Sequence, residues 1–248
     1  MPIGLMIQQS SSKPGRHVLD NRKQERTNIM KRLTFVAVVL GAELLLAPAA
    51  PAQGSIYISN LGQTPVGTGA VGNDSWIAQP FFTGTNSAGY ALNSVQLLMD
   101  AALGSPNGFT ASIYSSPGNG APGVELGSLS GSDPAAGGVF SYAASGLMLS
   151  PSTSYAIVLT ATTPIAQGVY QWSAADSFGS GIIAPGDPWI IPDVYYSSAD
   201  GSTWAFNPRG NIFQFAIDGT AVPEPGFSSL LALGSLWLLW HRRASVTL

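Results

Sequence analysis

The chain has 248 residues and no cysteine, and its formal net charge is −3 at pH 7. Residues 53–221 keep one basic residue, Arg209, against nine acidic ones. The resulting net charge of about −8 repels phosphate backbones, so nucleic-acid binding is not expected. Both histidines, His17 and His241, lie outside this region. Without histidine, cysteine or lysine, the region offers no Ser–His pair, reactive thiolate, Schiff-base amine, or imidazole or thiolate metal site.

The N-terminal region has the pattern of an export signal. Residues 1–29 are polar and basic without apolar periodicity, and we interpret them as an upstream start artefact or as a long n-region. A basic start at residues 30–32 precedes an apolar run over residues 33–46. The cleavage site follows at Ala50, Ala52 and Gln53. A basic segment, an apolar segment and an Ala-x-Ala site together predict a signal peptide over residues 30–52, cleaved before Gln53.

Residues 53–221 are predicted to form one β domain, because glycine and proline are frequent, charges are few and short apolar runs recur between turn signals. Eleven strands are predicted, at residues 56–58, 75–82, 91–99, 109–114, 139–142, 147–149, 154–161, 169–173, 189–196, 203–206 and 212–217. Many short strands without a helix favour a β-sandwich of jelly-roll type. Residues 155–159 are apolar on both faces, so we expect them in a central strand.

Aromatic side chains are frequent in this region and have two interpretations. Stacking on sugar rings would make the domain a glycan binder, whereas aromatic side chains also supply much of the buried area in sandwich cores. Trp189, Tyr195 and Tyr196 are the candidate glycan-stacking residues, because they lie in a proline-rich stretch beside Asp187 and Asp193. Core packing is the alternative for all three.

The acidic residues admit further hypotheses. Dispersed turn aspartates could share a calcium ion through oxygen ligands, although solvated turns explain them as well. Two carboxylates could hydrolyse glycosides, but no spacing selects a pair.

Residues 198–204 are similar to the Asp-box hairpin of sialidase-type propellers, but the segment is one residue short and occurs once. We interpret it as a structural turn around Asp200 and Gly201. No catalytic residue, cofactor or metal is therefore predicted.

Six short motifs in the domain resemble the "choice-of-anchor" R type domain. They are NLG at 60–62, GNDSWIAQPF at 72–81, SVQL at 94–97, IYS at 113–115, LSPSTSYAIVL at 149–159 and YQWS at 170–173. The resemblance covers nearly all of residues 53–221 and implies a secreted bacterial domain attached by one of several kinds of C-terminal anchor. It implies no catalytic residue and names no ligand.

Residues 222–248 have three parts. The first part is the motif Val222, Pro223, Glu224 and Pro225. We expect it to be extended, because proline fixes φ and lacks a backbone donor. An uncharged apolar run over residues 226–240 is predicted to form a short transmembrane helix of about 22 Å, against a hydrocarbon thickness of about 30 Å. A buried core helix is the alternative. Arg242 and Arg243 follow, and they resist translocation and keep the N-terminal side outside.

This order of parts resembles the PEP-CTERM sorting signal of Gram-negative surface proteins. The resemblance covers about the last 25 residues. It implies recognition by an exosortase, which in that family processes or transfers the protein near the Pro-Glu-Pro motif during export, often alongside exopolysaccharide. The implied partners are the exosortase and the export machinery, with transient residence in the inner membrane.

Together these features predict a non-enzymatic protein exported through the inner membrane to the cell envelope, surface or extracellular matrix of a Gram-negative bacterium. The alternative is a carbohydrate-binding module that engages exopolysaccharide, with polysaccharide as its partner. A carboxylate-dependent glycosidase is the third hypothesis.

Overall fold

The computed structural model describes residues 54–118, 120–176, 182–183, 188–208 and 212–224, together with Gly234. Residues 54–224 belong to one compact unit, Pro51–Gly226. The described strands are Ser55–Ser59 (β1), Pro65–Val71 (β2), Trp76–Phe82 (β3), Tyr90–Gly104 (β4), Thr110–Ser115 (β5), Glu125–Leu129 (β6), Gly138–Ala143 (β7), Met148–Leu149 (β8), Ser154–Thr160 (β9), Gly168–Ala175 (β10), Ile182–Ile183 (β11), Val194–Ser198 (β12), Ala205–Pro208 (β13), Ile212–Phe213 (β14) and Phe215–Ala221 (β15). No helix occurs among the described residues of 54–224, which confirms the predicted all-β class.

The strands form two antiparallel sheets. The first has the order β11-β1-β15-β4-β10-β14, with β2 also paired to β10 and both β7 and β8 paired to β4. The second has the order β13-β12-β3-β9-β5-β6. Inward-facing side chains of both sheets share one hydrophobic core, in which Phe81 of β3 contacts Phe215 of β15 with 6.3 Å between the ring centroids. The arrangement is therefore β-sandwich-like.

The prediction of a central strand at residues 155–159 is confirmed. β9 lies between β3 and β5, and these five residues are all buried. Ile157 faces the main core, whereas Val158 faces a smaller cluster on the outer side of the second sheet, together with Tyr196. An apolar sequence on both faces is thus explained by two hydrophobic clusters, one on each side of the sheet.

β2 was not among the predicted strands. Its sequence, Pro65–Val71, contains two glycines and lacks a clear apolar alternation. It nevertheless pairs with β10 along nearly its whole length, from Val71 opposite Tyr170 to Pro65 opposite Ala175. The backbone partner rather than the local sequence therefore makes this segment a strand, which is why strand propensity did not identify it.

The strand predicted at residues 189–196 is shorter in the structure. Only Val194–Ser198 is a strand, and Trp189 lies before it in a loop where Ile190 bridges to Phe82. Pro192 lacks a backbone N–H and cannot take part in a continuous ladder as a donor. The predicted strand therefore begins five residues too early.

The strand predicted at residues 212–217 is interrupted at Gln214. β14 before it pairs with β10, and β15 after it pairs with β1 and β4. The Gln214 N–H donates to the Ser173 carbonyl (2.9 Å), and the Gln214 carbonyl accepts from the Leu98 N–H (3.1 Å). Gln214 therefore bonds to β10 on one side and to β4 on the other, just past the point where the pairing between β10 and β4 ends.

Among the described residues no helix is long and apolar enough to cross a membrane. The predicted signal peptide at residues 30–52 lies outside the described part of the chain, as do the terminal arginines and, apart from Gly234, the apolar run at 226–240. The signal peptide and the transmembrane helix therefore stay predictions.

Candidate functional site

The folded domain and the predicted sorting motif meet at Val222. β15 ends at Ala221, and the next residue still takes part in the hydrogen bonding of the domain. The Val222 N–H donates to the Gly89 carbonyl (3.0 Å), and Asn86 Nδ2 donates to the Val222 carbonyl (3.0 Å). The chain is therefore held to the domain as far as Val222.

The loop that holds Val222 is ordered by its own contacts. The Asn86 N–H donates to the hydroxyl oxygen of Tyr90 (2.9 Å), and Asn86 Nδ2 donates to the Gly89 carbonyl (2.6 Å). Gly89 has φ of 80°, and a Cβ there would lie 2.6 Å from the Leu149 carbonyl oxygen. A side chain at this position would be strained and obstructed, so glycine is required. Asn86 and Gly89 therefore form a preorganised binding position for Val222.

The next two residues of the motif, Pro223 and Glu224, are exposed. Ser87 Oγ donates to Glu224 Oε1 at 2.7 Å, but this bond lies at the surface and contributes little stability. Pro223 and Glu224 are therefore exposed to solvent directly after Val222, the residue that the loop of residues 86–89 holds. Pro225, Arg242 and Arg243 lie outside the described residues, as do the cleavage-site residues Ala50, Ala52 and Gln53.

The structure does not support Trp189 as a glycan-stacking residue. Its side chain is fully buried (0 % exposed) and stacks on Tyr57, with 5.0 Å between ring centroids and 17° between planes. Phe81 lies parallel to the indole at 6.0 Å, and Tyr90 meets it edge-on at 5.0 Å. Because protein rings surround the indole, no face is open to a sugar. Core packing, the alternative interpretation, applies to Trp189.

Tyr196 is also buried, at 1 % exposed, on the outer side of the second sheet. It packs with Ala78, Ala156 and Val158, and a Cβ on Gly120 would lie 3.3 Å from its hydroxyl oxygen. The loop after β5 therefore lies over the Tyr196 ring and leaves no room for a stacked sugar. The glycan-stacking prediction is wrong for this residue too.

Tyr195 differs from these two residues because it is only half-buried. Its ring meets Phe213 edge-on, with 5.2 Å between centroids, at the margin of the main core. Tyr195 is also one of the residues that line a cavity of about 290 Å³. Alternation along β12 explains the difference, because Tyr195 and Tyr196 point to opposite faces of one strand.

The predicted turn at residues 198–204 is present and joins β12 to β13. Asp200 Oδ1 accepts from the backbone N–H groups of Thr203 and Ser202, both at 2.9 Å. The Thr203 bond, and after it the Ser202 bond, hold the pKa of the Asp200 carboxyl well below its usual range, because both stabilise the charged carboxylate. Gly201 has φ of 72° and lies against the Trp76 ring. The structural interpretation of this segment is therefore supported by its geometry.

Replacing Asp200 with alanine is expected to lower the unfolding temperature at neutral pH. A depressed native pKa stabilises the fold above the ordinary aspartate pKa of about 4, and that stabilisation declines as the pH falls further. The difference in unfolding temperature between the wild type and Asp200→Ala should therefore narrow from about pH 4 towards pH 2. Glu125→Ala, on the far edge of the same sheet, is the control. A difference that stays constant across this pH range would contradict the assignment.

Other carboxylates form separate hydrogen bonds. Asp133 Oδ2 accepts from the Tyr170 hydroxyl (2.8 Å), and Asp218 Oδ1 accepts from Asn93 Nδ2 (2.8 Å). No three Asp, Glu, His or Cys side chains group as metal ligands within the part of the chain that the structure describes.

The sequence alone did not predict that Asn86 and Gly89 bind Val222. Asn86 and Gly89 lie in a predicted turn region, and their spacing is typical of a local Asx-type turn. Nothing in the sequence, however, connects that turn with residue 222, which is 136 positions away from Asn86.

The fold and these sites define an all-β, sandwich-like domain with a C-terminal extension that begins at Pro223. Compared with known protein families, with curated proteins and with solved structures, the chain shows no significant match. The two family resemblances drawn from sequence motifs therefore stay predictions.

Proposed function

We propose that this protein is exported and displayed at the envelope, surface or extracellular matrix of a Gram-negative bacterium. A signal peptide at residues 30–52 directs export, and a jelly-roll-like sandwich is the displayed part. The C-terminal segment is a sorting signal: an exosortase recognises Val222, Pro223, Glu224 and Pro225, and a short membrane helix with Arg242 and Arg243 holds the precursor during that step.

The observation that supports this proposal best is the position of the motif relative to the fold. The sheet ends at Ala221, and within the described part of the chain Val222 is the last residue with a backbone hydrogen bond to the domain. Pro223 and Glu224 follow at the surface. A membrane enzyme could therefore act beyond Val222 without unfolding β15, and the released domain would keep all the strands that the structure describes.

The protein is proposed to be non-enzymatic because of its side-chain inventory. The described residues include no histidine, lysine, arginine or cysteine. Acyl transfer through a serine–histidine pair and Schiff-base chemistry both need groups that are missing from this set. The domain is therefore proposed to act through its surface.

Glu224→Ala is expected to abolish processing in a host that has an exosortase. The wild-type protein in that host should lose its C-terminal segment, whereas the variant should remain in the inner membrane at precursor mass. Intact-mass analysis of the surface and membrane fractions measures both outcomes. Glu125→Ala is the matched control, since it removes an exposed carboxylate from β6, far along the sequence from the motif. It should be processed like the wild type.

A host without an exosortase provides the second control, and there the wild type itself should remain a membrane-bound precursor. If surface protein from the exosortase-bearing host still carries residues 227–248, the segment is a permanent anchor and the proposed sorting function is wrong.

A further inference from the structure

The first residue of the sorting motif continues the pairing of the first sheet. β15 pairs antiparallel with β4, and this pairing ends with Ala221 opposite Tyr90. In the same register Val222 lies opposite Gly89, and the Val222 N–H donates to the Gly89 carbonyl (3.0 Å). Asn86 Nδ2 donates to the Val222 carbonyl (3.0 Å). Both backbone groups of Val222 are therefore already bonded within the domain.

The same register extends two residues further, to Glu224. It places Glu224 opposite Ser87, and Ser87 Oγ donates to Glu224 Oε1 (2.7 Å). Pro223, between Val222 and Glu224, has no N–H that could add another bond. Residues 86–89, which we call the clamp, thus bind two residues of the motif in one antiparallel alignment. We call the bound residues, 222–224, the tail.

The clamp is ordered by bonds that do not involve the tail. The Asn86 N–H donates to the hydroxyl oxygen of Tyr90 (2.9 Å), and the Tyr90 side chain is fully buried. The Gly89 N–H donates to the Asn86 carbonyl (2.8 Å), which closes the turn. These bonds remain when the tail leaves. The clamp is therefore a fixed surface, and the tail is the part that can move.

Hydrogen bonds rather than apolar packing hold the tail. Val222 is half-buried, whereas Pro223 and Glu224 are exposed, so little apolar area would be uncovered if the tail left. β15 would stay in place, because it pairs with β1 on one side and with β4 on the other. One neutral hydrogen bond of this kind shifts an equilibrium by about two- to tenfold. The tail therefore has a bound state and an open state, and a small change in the clamp shifts the balance between them.

The bound tail cannot be read by an enzyme in the way that extended chains are usually recognised. Such recognition uses main-chain hydrogen bonds together with pockets for side chains. In the bound state the main-chain groups of Val222 are bonded to the clamp, and the Glu224 carboxylate is bonded to Ser87. An enzyme that reads these groups binds only the open state. Its apparent affinity is therefore reduced by the fraction of molecules that are open.

We propose that the clamp is an autoinhibitory contact, in which Asn86 and Ser87 compete with the exosortase for the sorting motif and so limit the rate of processing. The inference rests on the proposed sorting function and extends it from the motif to the loop that regulates access to it. The folded domain thereby sets how often its own C-terminal segment is presented to the enzyme.

The test is pulse–chase labelling of the full-length chain in a host that has an exosortase, with the half-life of the precursor as the readout. Asn86→Ala removes the donor to the Val222 carbonyl and should shorten this half-life about three- to tenfold. Ser87→Ala removes only the exposed bond to Glu224 and should shorten it about threefold. Because Ser87→Ala changes only this surface bond, it decides the question even if Asn86→Ala perturbs the turn.

Two matched controls change the same residue types away from the tail. Asn93 is also a partly buried asparagine that bonds to β15, but its partners are Asp218 Oδ1 (2.8 Å) and Thr220 Oγ1 (3.1 Å) rather than the motif. Ser128 is an exposed serine of β6. Asn93→Ala and Ser128→Ala should both be processed at the wild-type rate. Faster processing of Asn93→Ala to the same extent as Asn86→Ala would show that general loosening of β15, not the clamp, sets the rate.

Hydrogen exchange of the full-length precursor measures the clamp without the enzyme. The precursor is purified in detergent from a host that lacks an exosortase. The Val222 amide should be protected in the wild type and should exchange about three- to tenfold faster in Asn86→Ala. An unprotected Val222 amide in the wild type, or precursor half-lives that are unchanged or longer in both variants while the wild type is processed, would overturn the proposal. Absence of processing in the wild type would instead reject the sorting function, and the autoinhibition with it.

Discussion

Replacing Trp189 with alanine is expected to lower the free energy of unfolding by about 3–5 kcal/mol, the usual cost of removing a large buried aromatic side chain. The indole lies between Tyr57 and Phe81 and touches Tyr90, so the cavity would be bounded by three rings that other buried residues hold in place. The cost of this cavity can fall only if those rings partly move into it. Urea unfolding followed by circular dichroism measures the change, and for a chain of this size each kcal/mol corresponds to about 2–4 °C in the unfolding temperature.

Trp189→Phe separates ring packing from hydrogen bonding. The Trp189 indole N–H has no hydrogen-bond partner among the described residues, so phenylalanine should lose only part of the packing. We expect a cost of about 1–2 kcal/mol for this variant. Phe206→Ala is the surface control, because that ring is 54 % exposed, and it should cost less than about 1 kcal/mol. A cost below about 1.5 kcal/mol for Trp189→Ala would mean that the residue is not in the core.

Replacing Gln79 with alanine is expected to cost about 3 kcal/mol or more, although the residue is polar. Its side chain is 0 % exposed and bonds in both directions. Gln79 Oε1 accepts from the Phe213 N–H of the first sheet (3.1 Å), and Nε2 donates to the Val194 carbonyl of the second (3.0 Å). Alanine would leave the buried Phe213 N–H without its acceptor, at a cost of about 1–3 kcal/mol, and the partly buried Val194 carbonyl without its donor. It would also leave a cavity in the core.

Gln171→Ala is the matched control for that experiment. Gln171 also bonds across strands, accepting from Thr68 Oγ1 and donating to the Ala101 carbonyl, but both bonds lie at the surface. Water replaces such bonds, so the expected cost is below about 1 kcal/mol. Equal costs for the two glutamines would show that Gln79 does not link the sheets.

The amide network around Gln79 also gives a physical role to two of the sequence motifs. Asn60 Nδ2 donates to the Phe213 carbonyl (3.1 Å), and Asn60 Oδ1 accepts from the Phe215 N–H (2.7 Å). Asn60 and Gln79, both in quoted motifs, therefore hold the same short strand from two sides. Stabilisation of this irregular segment accounts for buried amides there without a catalytic role.

Several features followed from the sequence alone because they depend on local patterns. Residues 155–159 are apolar on both faces and form a central strand, as predicted. The Asp-Gly turn at residues 200–201 depends on backbone groups within three positions of Asp200, so its type could be inferred from the segment itself. Composition alone likewise predicted the all-β class, since turn residues and short apolar runs reflect local backbone preference.

Only the tertiary structure decided which aromatic residues are exposed, because burial depends on packing between segments distant in sequence. Trp189 contacts Tyr57 and Phe81, more than a hundred positions earlier, whereas its proline-rich and acidic neighbours suggested a ring accessible to a ligand. β2 is a strand because β10 lies beside it, and Val222 is fixed because Asn86 reaches it across 136 positions. Such contacts form only when the chain folds and closes these loops, so no local pattern encodes them.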